Sequence, residues 1–138
     1  MEKTFVIAPK GIIVFNGRAL IMQRSAEDTI GPNEWEFAGG KMIFGEGLKD
    51  CLIREIKEEV GLTVTVNRLL YAATFKTNDN RQVVILSYLC TAHDDKVTLS
   101  DEHQDYLWAD KKQMKELLAR PILDDLNSNS VWDILKLN

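Results

Sequence analysis

The sequence predicts a mixed α/β domain of the α+β kind, and three observations carry that expectation. Runs rich in Val, Ile, Phe and Thr, bounded by turn residues, stand on both sides of one amphipathic segment, Leu48–Val60. The first two runs are divided by Asn16-Gly17, the strongest short-range hairpin signal. Helical patterns close the chain after Ala109. Strands gathered before and after a helix, without regular alternation, argue against a doubly wound parallel sheet.

The elements follow in order. Thr4–Phe15 and Arg18–Arg24 should pair as antiparallel strands through Asn16-Gly17. Residues 28–33 carry Gly31-Pro32 and read as a loop, after which 34–37 form a short strand leading to Gly39-Gly40. The helix runs from about Leu48 to Val60, and Gly61 follows where a left-handed C-cap is wanted. Residues 63–77 and 81–91 are β-branched and aromatic and form a second long hairpin through Asn78-Asp79-Asn80. A polar loop spans 93–101 and a final strand 104–109. Helices are expected over about 111–118 and 123–137, separated by a break at Pro121. No repeat, linker or low-complexity segment interrupts the chain.

With 138 residues, 45% hydrophobic and 28% charged, the chain suits one domain over residues 1–138 with one sizeable core. Its net charge is −4 and no Lys/Arg run exceeds two residues, so no nucleic-acid polymer is expected as a partner. Cys51 and Cys90 lack both a disulfide framework and metal-ligand spacing, and are expected as reduced core residues in a cytoplasmic protein. The first apolar run breaks at Pro9-Lys10-Gly11, so no signal peptide is expected there. No segment approaches the roughly 18 apolar residues of a membrane span, so no membrane association is expected.

The helix holds the most informative chemistry. At about 100° per residue, Leu52, Ile56, Val60 and Ile53 occupy an arc of roughly 40° to 140° from Leu48, a core stripe. Glu58, Glu55 and Glu59 fall at about 280°, 340° and 20°, on the margin of that stripe. Like charges three and four residues apart repel, more strongly when partly desolvated, so a compensating cation is expected. A divalent metal ion does this best. Alone, the cluster would read as a solvated acidic face with Arg54 and Lys57 as partners.

It does not stand alone. Gly40, five residues, Glu46, seven residues, Arg54-Glu55-Ile56, one residue, Glu58-Glu59, one residue and Gly61-Leu62 reproduce an intact Nudix box. Seven fixed letters in register coincide by chance on the order of once in 10⁸ positions. The chain therefore resembles the Nudix hydrolase superfamily. The resemblance implies the Nudix fold, a mixed β-sheet sandwiched between α-helices, with the box as a loop–helix–loop unit at one end of the sheet.

It also implies roles. Glu55, Glu58, Glu59 and the carbonyl of Gly40 would hold Mg²⁺, with Mn²⁺ as a substitute; an oxygen donor set suits so hard a cation. Arg54 would pair with a box glutamate and fix its rotamer. Glu46 would anchor the loop to the helix. The general base would be Glu55 or, second, Glu102 on the loop before the last strand. His103 beside it is expected on the surface. Arg24 and Lys41 match positions of phosphate-contacting cations in the MutT-like branch.

The segment Trp35-Glu36-Phe37-Ala38-Gly39-Gly40-Lys41 is similar to the WEFPGGK run of the MutT-type nucleoside triphosphate pyrophosphohydrolases. The resemblance adds Glu36 to the substrate-binding candidates. Two departures matter: Ala38 replaces the usual proline, and Ala119-Arg120 stand where an asparagine reads the base in the oxidised-guanine enzyme. Of Trp35, Tyr71, Phe75, Tyr106 and Trp108, at most one or two are expected to stack on a ligand. The first expectation is hydrolysis of a (deoxy)nucleoside triphosphate, 8-oxo-dGTP type included, to monophosphate and pyrophosphate. ADP-ribose or another nucleotide sugar is the alternative substrate, and a non-catalytic nucleotide-sensing module the alternative of another class. The expected state is monomer or homodimer.

Overall fold

The computed structural model describes residues 2–138. Among these, the chain forms β1 (Thr4–Phe15), β2 (Arg18–Arg24), β3 (Trp35–Glu36), β4 (Ala38–Gly39), α1 (Leu48–Val60), β5 (Val64–Asn78), β6 (Arg81–Ala92), β7 (His103–Ala109), α2 (Lys111–Leu117), α3 (Arg120–Ser128) and α4 (Trp132–Leu135). The strands make one mixed sheet in the order β3-β2-β1-β6-β5, with β4 paired to β1 and β7 to β2. Strand β1 is its axis. It runs parallel to β6 from Thr4↔Arg81 to Val14↔Thr91, and its other edge meets β4 at Lys10↔Gly39 and β2 at Val14↔Ala19. The β1–β2 turn has Asn16 at φ 50° and Gly17 at φ 74°, the two left-handed residues that a type I′ hairpin requires.

Alternation along the strands divides the core between two faces. Ile13, Leu20 and Met22 pack with Leu52, Ile56 and Val60 of α1, whereas their neighbours Ile12, Ala19 and Ile21 pack with Met114, Leu118, Leu126 and Leu135 of the C-terminal helices. The sheet is thus sandwiched between α1 and α2–α4. Each fully buried Leu or Ile contributes about 1.5–3 kcal/mol relative to an exposed one. Helix α2 is capped by a box in which Asp110 accepts from Gln113 N–H and the Gln113 side chain accepts from Asp110 N–H. No helix among the described residues is long and apolar enough to cross a membrane.

Several local expectations are corrected. Ile53 is 39% exposed, because its place at the far edge of the stripe looks past the sheet. The strand expected over 34–37 is divided: Trp35 and Glu36 pair with β2, Phe37 turns into the α2–α4 core, and Ala38 and Gly39 pair with β1. The last strand starts one residue earlier, at His103. Pro121 does not break a helix but sits in the first turn of α3, where its missing N–H is an orphan anyway. The break between α2 and α3 falls at residues 118–119, and the helix expected over 123–137 begins earlier, at Arg120, and is divided in two near Ser130, at φ 53°.

Candidate active site

The box folds as a loop that returns to its own helix. Arg54 grips Glu46 with two parallel bonds, Nε to Oε2 at 2.9 Å and Nη2 to Oε1 at 2.7 Å, while Glu46 Oε1 also accepts from Ile43 N–H at 2.8 Å. These bonds, those of Arg54 first, hold Glu46 down at about 2. Arg54 Nη1 reaches Glu55 Oε1 at 3.0 Å and Glu58 Oε2 at 3.2 Å, so a single guanidinium sets the direction of three glutamates. Its own pKa is raised, chiefly by the Glu46 bonds.

Gly40 lies against Glu55: a Cβ built there would stand 2.5 Å from Glu55 Oε2. Only a residue without a side chain lets the carboxylate come so near the backbone. Glu58 is the exposed member of the triad, its side chain 60% accessible. Glu59 is buried, and its Oε1 accepts from Gly39 N–H at 3.0 Å. Burial pushes the Glu59 carboxyl up to about 7, against the opposing influence of Lys10, the Gly39 N–H and His103. The carboxylates of Glu55, Glu58 and Glu59 and the Gly40 carbonyl are oxygen donors of the kind a hard divalent cation takes, although among the described residues the metal-capable group within 4.8 Å joins Glu59 to Glu102 and His103 instead.

The loop after β6 reaches the same place because it caps α1. Thr98 N–H bonds Val60 O and Ser100 N–H bonds Glu59 O, both at 2.9 Å, satisfying carbonyls that the end of a helix leaves open. This strap carries Glu102 and His103 to Glu59, and one donor atom from each of the three lies within 4.8 Å of the others.

Beside them opens a groove of about 440 Å³ lined by Lys10, Arg24, Asp28, Glu36, Gly39, Glu59, Glu102 and His103, among others. Glu36 is its hub. Oε1 accepts from Arg24 Nη1 at 3.1 Å, with Lys10 Nζ at 3.9 Å, and Oε2 accepts from His103 Nε2 at 2.9 Å. Burial alone would raise this carboxyl, yet Lys10, His103 and Arg24 together hold it at about 2. An ionised carboxylate only accepts, so the His103 proton is assigned to Nε2. Arg24 also donates to Asp28 Oδ2 at 2.8 Å.

The expected site residues therefore fall into two connected groups. Gly40, Glu55 and Glu58 gather round Arg54, while Arg24, Glu36, Glu59 and Glu102 line the groove. The exposed Lys41 is outside the residues lining the groove, and its carbonyl accepts from Arg54 Nη2 at 3.5 Å. His103, expected on the surface, is buried with its side chain 2% exposed, a correction caused by the strap on α1. Its Nδ1 has no hydrogen-bond partner among the described residues. Lys10 went unnoticed in the sequence; the available signal was a lysine amid an apolar strand, since a withdrawn lysine needs a partner. Of the aromatics, Tyr71 is buried, Trp35 and Trp108 pack on the core, and Phe75 and Tyr106 are exposed.

The fold and this acid-rich groove define a class of hydrolase. A NUDIX domain model matches residues 9–127, and the chain belongs to the Nudix hydrolase family. It is similar to the nucleoside triphosphatase NudI of Enterobacter sp. (strain 638), 25% identical over 127 residues that cover 85% of this chain and 89% of the relative. It is also 26% identical to NudI of Escherichia coli O17:K52:H18 (strain UMN026 / ExPEC) over 119 residues, 78% of this chain and 82% of that one. Among solved structures, the MutT protein from Methanosarcina mazei Go1 superposes with a TM-score of 0.83 at 24% identity, covering 96% of this chain and 98% of the other. The E. coli ORF135 protein superposes at 0.75 with 24% identity, covering 94% and 90%. Both share the fold.

Proposed function

We propose that this Nudix hydrolase cleaves a (deoxy)nucleoside triphosphate to the monophosphate and pyrophosphate with Mg²⁺, Mn²⁺ serving as a substitute. The observation that carries the reading is the pair of glycines that receives two box acids, with Glu55 against the Gly40 backbone and the buried Glu59 held by Gly39 N–H in the groove. Gly40, Glu55, Glu58 and Glu59 would hold the cation. Bound there, the metal would neutralise phosphate charge and favour ionisation of a water.

The remaining work belongs to the chain. Arg54 keeps Glu55 and Glu58 in fixed rotamers, so little reorganisation is left for the reaction. Glu55 takes the proton of the attacking water. Glu102 is the second candidate for that step, favoured by its place in the groove close to Glu59. Arg24, aimed by Glu36, would meet the nucleotide; Lys41, exposed at the start of the box loop and outside the groove lining, would reach it only from the rim. The groove volume falls in the range of small-ligand sites. The curated relatives, named nucleoside triphosphatases, support this substrate class over a nucleotide sugar. Their matches span most of the chain, which supports one Nudix domain over residues 1–138, and the free, buried Cys51 and Cys90 fit a cytoplasmic protein.

A hydrolysis panel tests the proposal: nucleoside triphosphates, oxidised guanine nucleotides, ADP-ribose and dinucleoside polyphosphates, with and without Mg²⁺, products identified. Monophosphate and pyrophosphate from a triphosphate are expected. Turnover of ADP-ribose alone, or of nothing while nucleotides bind, would replace the reading. Comparing Glu55→Gln with Glu102→Gln across pH separates the two candidate bases.

A further inference from the structure

One cation in the groove has no part in the chemistry above. Lys10 stands in the middle of β1 opposite Gly39, and its side chain is only 20% exposed. Among the described residues its one ion-pair partner is Glu36, at 3.9 Å, beyond hydrogen-bond range. Both Glu36 oxygens already take shorter bonds, from Arg24 at 3.1 Å and His103 at 2.9 Å. An ammonium withdrawn into a wall loses hydration, and this one is not repaid by a close protein acceptor.

Its direction is nevertheless set. A Cβ on Gly39 would lie 2.9 Å from Lys10 Cδ, so the lysine stem crosses the Gly39 backbone, and Gly39 N–H is the donor that holds Glu59. Glu36 draws the ammonium, and Glu59 lines the same groove. Lys10 thus lines the same groove as Gly39 and Glu59, with donors left over for an anion bound in that groove. A compact charge with rotatable donors suits a phosphate oxygen, whereas reading a base edge calls for fixed directions.

We propose that Lys10 is a substrate-binding residue that donates to a non-bridging phosphate oxygen of the polyphosphate chain, with Glu36 positioning its ammonium. This rests on the nucleotide-hydrolase reading and adds a contact to it. The competing role is local neutralisation of Glu36 and Glu59, in which case loss of the lysine alters cation affinity and leaves polyphosphate affinity alone.

Calorimetric titration with inorganic tripolyphosphate at saturating Mg²⁺ isolates the anion from any base. Lys10→Met, with Lys10→Gln as a second uncharged variant should the first unfold, is expected to weaken tripolyphosphate binding about tenfold and to raise KM for the triphosphate to a similar extent. The kcat and the Mg²⁺ activation constant should stay within about threefold of wild type, and Lys10→Arg should recover most of the affinity. Unchanged tripolyphosphate affinity in the uncharged variants, a change confined to the Mg²⁺ constant, or no tripolyphosphate binding by wild type overturns the assignment. Failure of wild type to hydrolyse any triphosphate removes the proposed function and still lets the titration decide Lys10.

Discussion

Glu36 shows how much a single carboxylate can hold together. It binds an arginine, a histidine and, at longer range, a lysine, and its pKa falls from 4.5 to about 2. A depressed carboxylate stabilises the fold in full above its unfolded pKa and loses that stabilisation as pH falls through the folded one, here between 4.5 and about 2. The effect is worth about 3 kcal/mol. Glu36→Gln should therefore lower stability at pH 7 and flatten the loss seen between pH 5 and pH 2, as urea titrations at several pH values would reveal; parallel pH profiles for the two proteins would contradict this. Glu58 is the opposite case, exposed and, among the described residues, bonded only to Arg54. Glu58→Gln should leave the melting temperature nearly unchanged while kcat drops at least about a hundredfold, since a lost metal ligand removes charge stabilisation. Near-normal turnover would contradict its assignment as a ligand.

At the level of elements, α1 serves two purposes with one set of residues. Its apolar arc anchors it to the sheet through Leu52, Ile56 and Val60, all fully buried, and Glu59 on its acidic margin meets the groove. Leu52→Ala should cost about 2–5 kcal/mol, measured by chemical denaturation, because the surrounding sheet cannot close the cavity. The helix ends at Gly61, at φ 72°, and the same end receives the strap from Thr98 and Ser100. Gly61→Ala should lose about 1 kcal/mol to backbone strain, since a left-handed residue there is needed for the chain to turn. It should also reduce activity by loosening Glu102, and kinetics measured well below the melting temperature separate the two effects.

For the whole molecule, the groove lies where β1, β2 and the loop after it, β3, β4, the end of α1 and the start of β7 meet, so its formation depends on the complete sheet. Glu27, Asp28, Glu36, Glu59 and Glu102 line it against two lasting cations, Lys10 and Arg24, which leaves an anionic substrate opposed until a divalent ion arrives. Mg²⁺ at about a hundred times its dissociation constant should stabilise the protein by about 2.7 kcal/mol, and chelation should reverse this. A thermal melt insensitive to Mg²⁺, Mn²⁺ and chelator would remove the cation from the site.

Local sequence was sufficient where the physics is local. The hairpin at Asn16-Gly17, the stop at Gly61 and the face of α1 each follow from backbone preferences and a 3.6-residue period, and the box spacing revealed the family. Which partners those segments meet is a different matter, because strand order, burial and ion pairing depend on residues distant in the chain. Glu36 and His103 are 67 positions apart, and only the pairing of β3 and β7 on β2 brings them to 2.9 Å. Likewise Lys10 reads as one lysine in a strand until β4 pairs beside it and turns its side chain toward the groove. The chemistry of the acids was written in their spacing; the cations and the histidine that surround them were placed by the closing of the sheet.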